Sequence, residues 1–177
     1  MQIRNCFQVP VPVHEAWDFL LDIPSTIACF PGAELTETVD AENYRGRITV
    51  KLGPLAMVFT GRVRVETCDA SSRSGSLRGS WSEVKGRGNA NAVTRFAMEG
   101  TDAGTRVDFE TEIELAGQVA QYGRGAGMIA GISSELIARF ADNLRARLSA
   151  RPLEHTEIQG LALASRALLG RSKRIPE

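Results

Sequence analysis

The strongest constraint in this chain is an alternation of period two that runs, with interruptions, from residue 33 to 115. Its clearest stretch sets Val107, Phe109, Thr111, Ile113 and Leu115 against Arg106, Asp108, Glu110, Glu112 and Glu114. Successive side chains on a strand point to opposite faces, so such a segment has one dry face and one wet face. It belongs to an antiparallel sheet covered on one side only. The same pattern sets Tyr44, Gly46, Ile48, Val50 and Leu52 against Arg45, Arg47, Thr49 and Lys51. After a turn at Gly53-Pro54 it sets Met57, Phe59, Gly61, Val63 and Val65 against Val58, Thr60, Arg62, Arg64 and Glu66. Ala92, Thr94, Phe96 and Met98 continue it, and residues 76–85 form a further strand around Trp81. Pro10 and Pro12 confine residues 7–12 to an edge strand, because proline cannot donate to a ladder on both sides. About seven strands are expected in all.

Two helical stretches interrupt this pattern early. Residues 14–21 carry apolar side chains at helical spacing, Asp22-Ile23-Pro24-Ser25 marks a break and restart, and Pro31-Gly32 stops the second short helix. After Gly117 a long helix is expected over residues 118–149. It has Tyr122, Ala126, Ile129, Ser133, Leu136, Phe140 and Leu144 on one stripe, and Glu135 and Arg139 placed to pair off it. The order strand, two short helices, six strands, long helix predicts an α+β fold. In it a curved seven-stranded antiparallel sheet grips the C-terminal helix, with a cavity between them.

Composition narrows the function. Among 177 residues, 21 basic and 21 acidic side chains cancel, which argues against a generally basic nucleic-acid binder. No run is long and apolar enough to span a bilayer and no signal region opens the chain, so a cytoplasmic location is expected. Cys6, Cys29 and Cys68 are scattered and lack metal-ligand spacing, which favours free thiols. The only histidines are His14 and His155, outside the expected sheet. No Ser/His/Asp set, inward carboxylate pair or metal spacing is present, so no catalytic residue, metal or covalent cofactor is assigned. Tyr44, Tyr122 and Glu83 are the polar side chains that an acid–base role would have to use.

The residues also resemble a known family. Leu21-Asp22-Ile23-Pro24 with Cys29-Phe30-Pro31-Gly32 resembles the CoxG family of carbon monoxide dehydrogenase. So do Tyr44-x-Gly46, Lys51-Leu52-Gly53-Pro54, Phe59-x-Gly61, Gly86-x-Gly88-x-Ala90, and Gly117 with Ala120-Gln121-x-Gly123. The resemblance covers residues 1–149. It implies a helix-grip domain of the START and birch-pollen-allergen (SRPBCC) superfamily, an apolar cavity, and association with the membrane. It further implies a non-catalytic accessory role beside a molybdenum hydroxylase such as carbon monoxide dehydrogenase.

Expected ligand-facing residues are Phe30, Phe59, Trp81, Phe96, Phe109, Tyr122, Gly125, Ala126, Ile129 and Ser133. For the aromatics, plain core packing is the competing explanation. Four of the seventeen glycines lie within residues 123–131. Gly125 and Ala126 leave room on the sheet side, while Gly123, Gly127 and Gly131 form an outer flank a second helix can approach. A GxGxxA match at 125–130 lacks the parallel βαβ unit of a dinucleotide site.

Residues 150–177 form a separate tail. Ile158, Leu161, Ala162, Ser165, Leu168 and Leu169 fall on one helical face, followed by Arg171-Ser172-Lys173-Arg174. An apolar face beside a basic cluster suits an anionic membrane surface through residues 158–174, a partner, or the chain's own glycine flank. Charge also segregates on the wet sheet face, with Arg45, Arg47, Lys51, Arg62 and Arg64 on one side and Asp108, Glu110, Glu112 and Glu114 on the other. The expected ligand is apolar or amphiphilic, a quinone or lipid, and the expected partners are hydroxylase subunits rather than nucleic acid. The alternatives are an assembly or recruitment factor without a functional ligand, and a polyketide cyclase-like enzyme.

Overall fold

The computed structural model describes residues 1–52, 55–123 and 126–150; of Leu52, Leu55 and residues 122–128 it describes no side chains. The elements run β1 (Gln2–Val9), α1 (Val13–Leu21), α2 (Ile23–Cys29), β2 (Ala33–Thr38), β3 (Asn43–Leu52), β4 (Leu55–Asp69), β5 (Ser74–Glu83), β6 (Gly88–Thr101), β7 (Gly104–Gly117), α3 (Val119–Gly123) and α4 (Ala126–Ala150). The described strands form one antiparallel sheet in the order β1-β7-β6-β5-β4-β3-β2. With every pairing antiparallel, no βαβ crossover exists among the described strands, which removes the structural basis for a dinucleotide reading of residues 125–130.

The first strand differs from its expected bounds. It begins at Gln2 and ends at Val9, and pairs with β7 from Gln2↔Glu112 to Val9↔Thr105. Pro10 and Pro12 lie beyond it, with Pro12 at the N-cap of α1. The prolines therefore terminate an edge strand rather than sit inside one. Asp22 separates α1 from α2, where its carboxylate accepts from Ser25 Oγ at 2.5 Å and caps the second helix. The expected single C-terminal helix is described as two pieces, α3 and α4. The tail from residue 151 lies outside the described residues, together with its expected amphipathic helix and His155.

Burial divides the interior into two parts. The larger cluster joins Phe7 and Val9 of β1, Trp17 and Phe19 of α1, Cys29 of α2, Met98, Val107, and Phe140, Leu144 and Leu148 of α4. The smaller one holds Met57, Phe59 and Val119, with Trp81 and Leu115 packed against it. The C-terminal half of α4 is locked in place. Asn143 Nδ2 donates to the Cys29 carbonyl at 2.9 Å, and Arg145 Nε to the Gln8 carbonyl at 2.8 Å. Off the packed face, Arg139 pairs with Glu135 at 2.6 Å as the spacing predicts.

Candidate functional site: a half-open concave face

Between the two clusters the inner face of the sheet is only half covered. Two cross-strand rows occupy the interval: Val63, Gly79, Ala92 and Ile113, then Val65, Leu77, Thr94, Thr111 and Ile3. Val63, Val65, Leu77, Ala92, Thr94, Thr111 and Ile113 are all half-buried. Opposite them, Ile129, Ile132, Ser133, Leu136 and Ile137 of α4 are half-buried too, whereas Phe140 and Leu144 are buried. The helix is buried against the core towards its C-terminal end and at most half-buried at its described residues before Phe140. From Phe109 to Leu115 the band runs six residues along β7, about 20 Å at ~3.4 Å per residue.

Aromatic rings lie along this face rather than standing up from it. A β-carbon at Gly79 would be 2.6 Å from Trp81 Nε1, and one at Gly61 would be 2.7 Å from Trp81 Cε3. Likewise a β-carbon at Gly75 would be 2.7 Å from Phe96 Cζ. Glycine is required beneath each ring because no side chain fits there. The flat rings supply apolar floor; Phe96 is itself met by Trp17 of α1, with ring centroids 6.1 Å apart, while Trp81 stays half-buried.

The polar groups of this face are few and mostly neutral. Thr94 and Thr111 sit opposite each other, their hydroxyls 3.1 Å apart. One diagonal step away, Asn5 Nδ2 donates to Ser133 Oγ at 3.0 Å across the gap to α4. Glu83 is 4% exposed, and its Oε2 accepts from the backbone N–H groups of Lys85 and Arg87 at 2.8 and 3.1 Å. That carboxylate serves the β5–β6 turn. Tyr44 donates to the Ala41 carbonyl at 2.8 Å, and burial raises its hydroxyl pKa, with the negative charges of Asp40 and Asp22 adding to it. Burial also raises the Cys29 thiol, against the opposing charge of Arg147. Among the described residues no group of three or more His, Cys, Asp or Glu is placed to hold a metal.

The expected ligand-facing residues fall into three groups. Phe30 packs on Phe140 with ring centroids 5.5 Å apart, and Phe59 is buried in the smaller cluster. Trp81, Phe96, Phe109, Ile129 and Ser133 border the half-open band, with Phe96 and Phe109 opposite each other and their centroids 6.4 Å apart. Tyr122, Gly125 and Ala126 lie where no side chain is described. Asn5 was not anticipated. Starting β1 at residue 7 hid it, although Ile3, Asn5, Phe7 and Val9 alternate as clearly as any other strand.

A seven-stranded antiparallel sheet holding one end of a long helix, with a half-covered apolar face between them, defines a helix-grip domain. Over residues 6–149 the sequence matches the CoxG family of carbon monoxide dehydrogenase, and the chain belongs to that family. Among solved structures, a conserved protein from Geobacillus kaustophilus is similar at TM-score 0.73 and 18% identity, covering 84% of this chain and 95% of that one. The ZhuI aromatase/cyclase from Streptomyces sp. R1128 is similar at TM-score 0.61 and 15% identity, covering 85% and 94%. These likenesses establish the shared fold. A search of curated proteins gave no match.

Proposed function

We propose that this chain is a non-catalytic accessory protein of a molybdenum hydroxylase of the carbon monoxide dehydrogenase type. Its concave face takes up an amphiphilic molecule with a neutral, oxygen-bearing head, a quinone or lipid, near the inner face of the membrane. We assign the domain to the START and birch-pollen-allergen superfamily, in keeping with the shared fold and the family match.

The half-open band carries this reading. Covering ~200 Å² of apolar surface there contributes about 5 kcal/mol at ~25 cal/mol per Å², before the cost of association. The hydroxyls of Thr94, Thr111 and Ser133 and the amide of Asn5 then offer hydrogen bonds to a carbonyl or hydroxyl head. Among the described residues these groups are uncharged, which suits a neutral head better than a carboxylate or phosphate, whose desolvation they would not offset. A redox enzyme requires an electron acceptor, and a quinone leaving a bilayer requires a dry pocket. Family membership supports the hydroxylase as partner. The apolar face and basic cluster of residues 158–174 support a membrane-surface role, and no described helix is long and apolar enough to cross a membrane.

Native mass spectrometry and solvent extraction of gently purified full-length protein test the ligand. A stoichiometric quinone or neutral lipid is expected. A repeatedly empty protein that also fails to bind an added short-chain quinone would overturn the carrier reading and favour an assembly factor. Turnover of a cyclisable polyketide substrate, lost in Glu83→Gln, would instead favour an enzyme.

A further inference from the structure

The outer face of the sheet carries a polar trough unconnected with the concave band. Arg45 stands directly opposite Arg62 across β3 and β4, and Arg64 directly opposite Arg78 across β4 and β5. Like charges in register destabilise a sheet unless something else holds them. Arg45 pairs with Glu37 at 2.9 Å, Arg78 with Glu66 at 2.5 Å, and Arg47 with Glu34. Arg62 and Arg64 make no close ion pair with any described residue; Arg64 feels the charge of Asp40, whose carboxyl it helps to lower, whereas no described carboxylate pairs with Arg62.

Around Arg62 the side chains are short and hydrogen-bonding. Two depressions of about 470 and 450 Å³ share Thr60, Arg62 and Ser82, and so form one trough. Its lining reaches from Thr36 of β2 to Asn91 of β6. Strands ~4.8 Å apart make that about 19 Å across, far wider than one phosphate or carboxylate group. The other half of the same face carries Asp108, Glu110, Glu112 and Glu114 on β7, of which the first three are paired with Arg106, Arg4 and Arg95.

We propose that the outer face of β3, β4 and β5 docks an acidic polypeptide surface, with Arg62 at its centre. Guanidinium groups take carboxylates in bidentate geometry, and the neighbouring hydroxyls and amides bond backbone groups at a polar interface. Among the described residues the large exposed apolar ones, Met1, Val39 and Val84, lie outside the trough lining, so none of them offers it an anchor of the kind that inserts into a bilayer. That the partner is the hydroxylase rests on the function proposed above; the trough's preference for acidic polypeptide does not.

Fluorescence anisotropy with labelled poly-L-glutamate, at low and high salt, tests the surface. Salt-sensitive binding is expected, with amide shifts mapping to β3–β5. Arg62→Glu should weaken it by about tenfold or more, Arg62→Gln by less, and Arg106→Glu on β7 hardly at all. Both sites are exposed, and unchanged circular dichroism would show that the variants fold. Equal binding by Arg62→Glu, or shifts elsewhere, would overturn the proposal. So would stronger, Arg62-dependent binding to phosphatidylglycerol vesicles, which assigns the trough to a membrane. Salt-sensitive self-association lost in Arg62→Glu would assign it to a second copy of this chain and likewise overturn it. A complex with the hydroxylase that is indifferent to Arg62→Glu would refute the docking surface but leave the accessory role standing. No such complex, with poly-L-glutamate still bound in the trough, would remove the hydroxylase as partner and keep the surface.

Discussion

The indole of Trp81 occupies the space that a side chain at Gly79 would need, with Nε1 2.6 Å from the position of the missing β-carbon. The two residues share one face of β5, so the ring lies back along its own strand and its far edge covers Gly61 on β4. The floor of the concave face depends on that posture. Gly79→Ala should lift the ring into the gap, at a cost of about 1–3 kcal/mol for overpacking. Shifted tryptophan emission, a lower melting temperature and weaker binding of an amphiphile are the expected readouts. Gly131 on α4 has open space where its β-carbon would stand, so Gly131→Ala should raise stability by up to ~1 kcal/mol.

The paired hydroxyls of Thr94 and Thr111 should matter more to a ligand's head than to the fold. Replacing both with Val removes donor and acceptor together, so no buried polar group is stranded and stability should change by less than ~1 kcal/mol. Affinity for a quinone should fall by about five- to tenfold, while affinity for a plain hydrocarbon of the same size holds. Isothermal titration with the two ligand types separates these outcomes. Equal losses for both would point to reshaped packing rather than a lost hydrogen bond.

The two halves of α4 should respond unequally to truncation. Leu144 is 0% exposed within the larger cluster, and Leu144→Ala should cost about 2–5 kcal/mol. Ile129 is half-buried over the open band, so Ile129→Ala should cost well under half of that yet change ligand affinity. Urea unfolding of both variants, with and without an amphiphile, checks the contrast.

Asp69 gives a pH dependence with a defined sign. Hydrogen bonds from the Ser71 and Ser72 side chains and backbone amides lower its carboxyl from an ordinary 3.8 to about 2. A carboxylate depressed on folding supports the β4–β5 turn above its unfolded pKa and loses that support as pH falls through the folded value. The contribution should therefore be full above about pH 4 and fade towards pH 2. Carbon-13 titration of the Asp69 carboxyl should show a midpoint near 2. In Asp69→Asn, amide exchange at Ser71 and Ser72 should lose its dependence on pH over that window, beyond the intrinsic change in exchange rate.

The face that each strand residue takes was readable, because period-two alternation fixes it. The inward placing of Phe59, Phe96 and Phe109 came from period two alone, and Ser133 from helical spacing on one stripe; the register around Trp81 was not fixed by its own segment. Asn5 was missed because two prolines drew the first strand's start too late. Glu83 could not be placed from its type, since a buried carboxylate reads the same whether it faces a ligand or, as here, the amides of its own turn.

By itself the sequence determined the approximate strand count, the antiparallel character of the sheet, the helix at the end and the two faces of most strands. Those depend on local periodicity, proline and glycine stereochemistry, and the free-energy cost of wetting apolar side chains. Only the tertiary structure decided that the core divides in two, that α4 buries Phe140 and Leu144 but leaves Ile129 half-buried, and that arginines meet arginines across β3, β4 and β5. These depend on which residues from distant segments arrive at the same point. Pairing register and helix placement settle that, and no single segment encodes them.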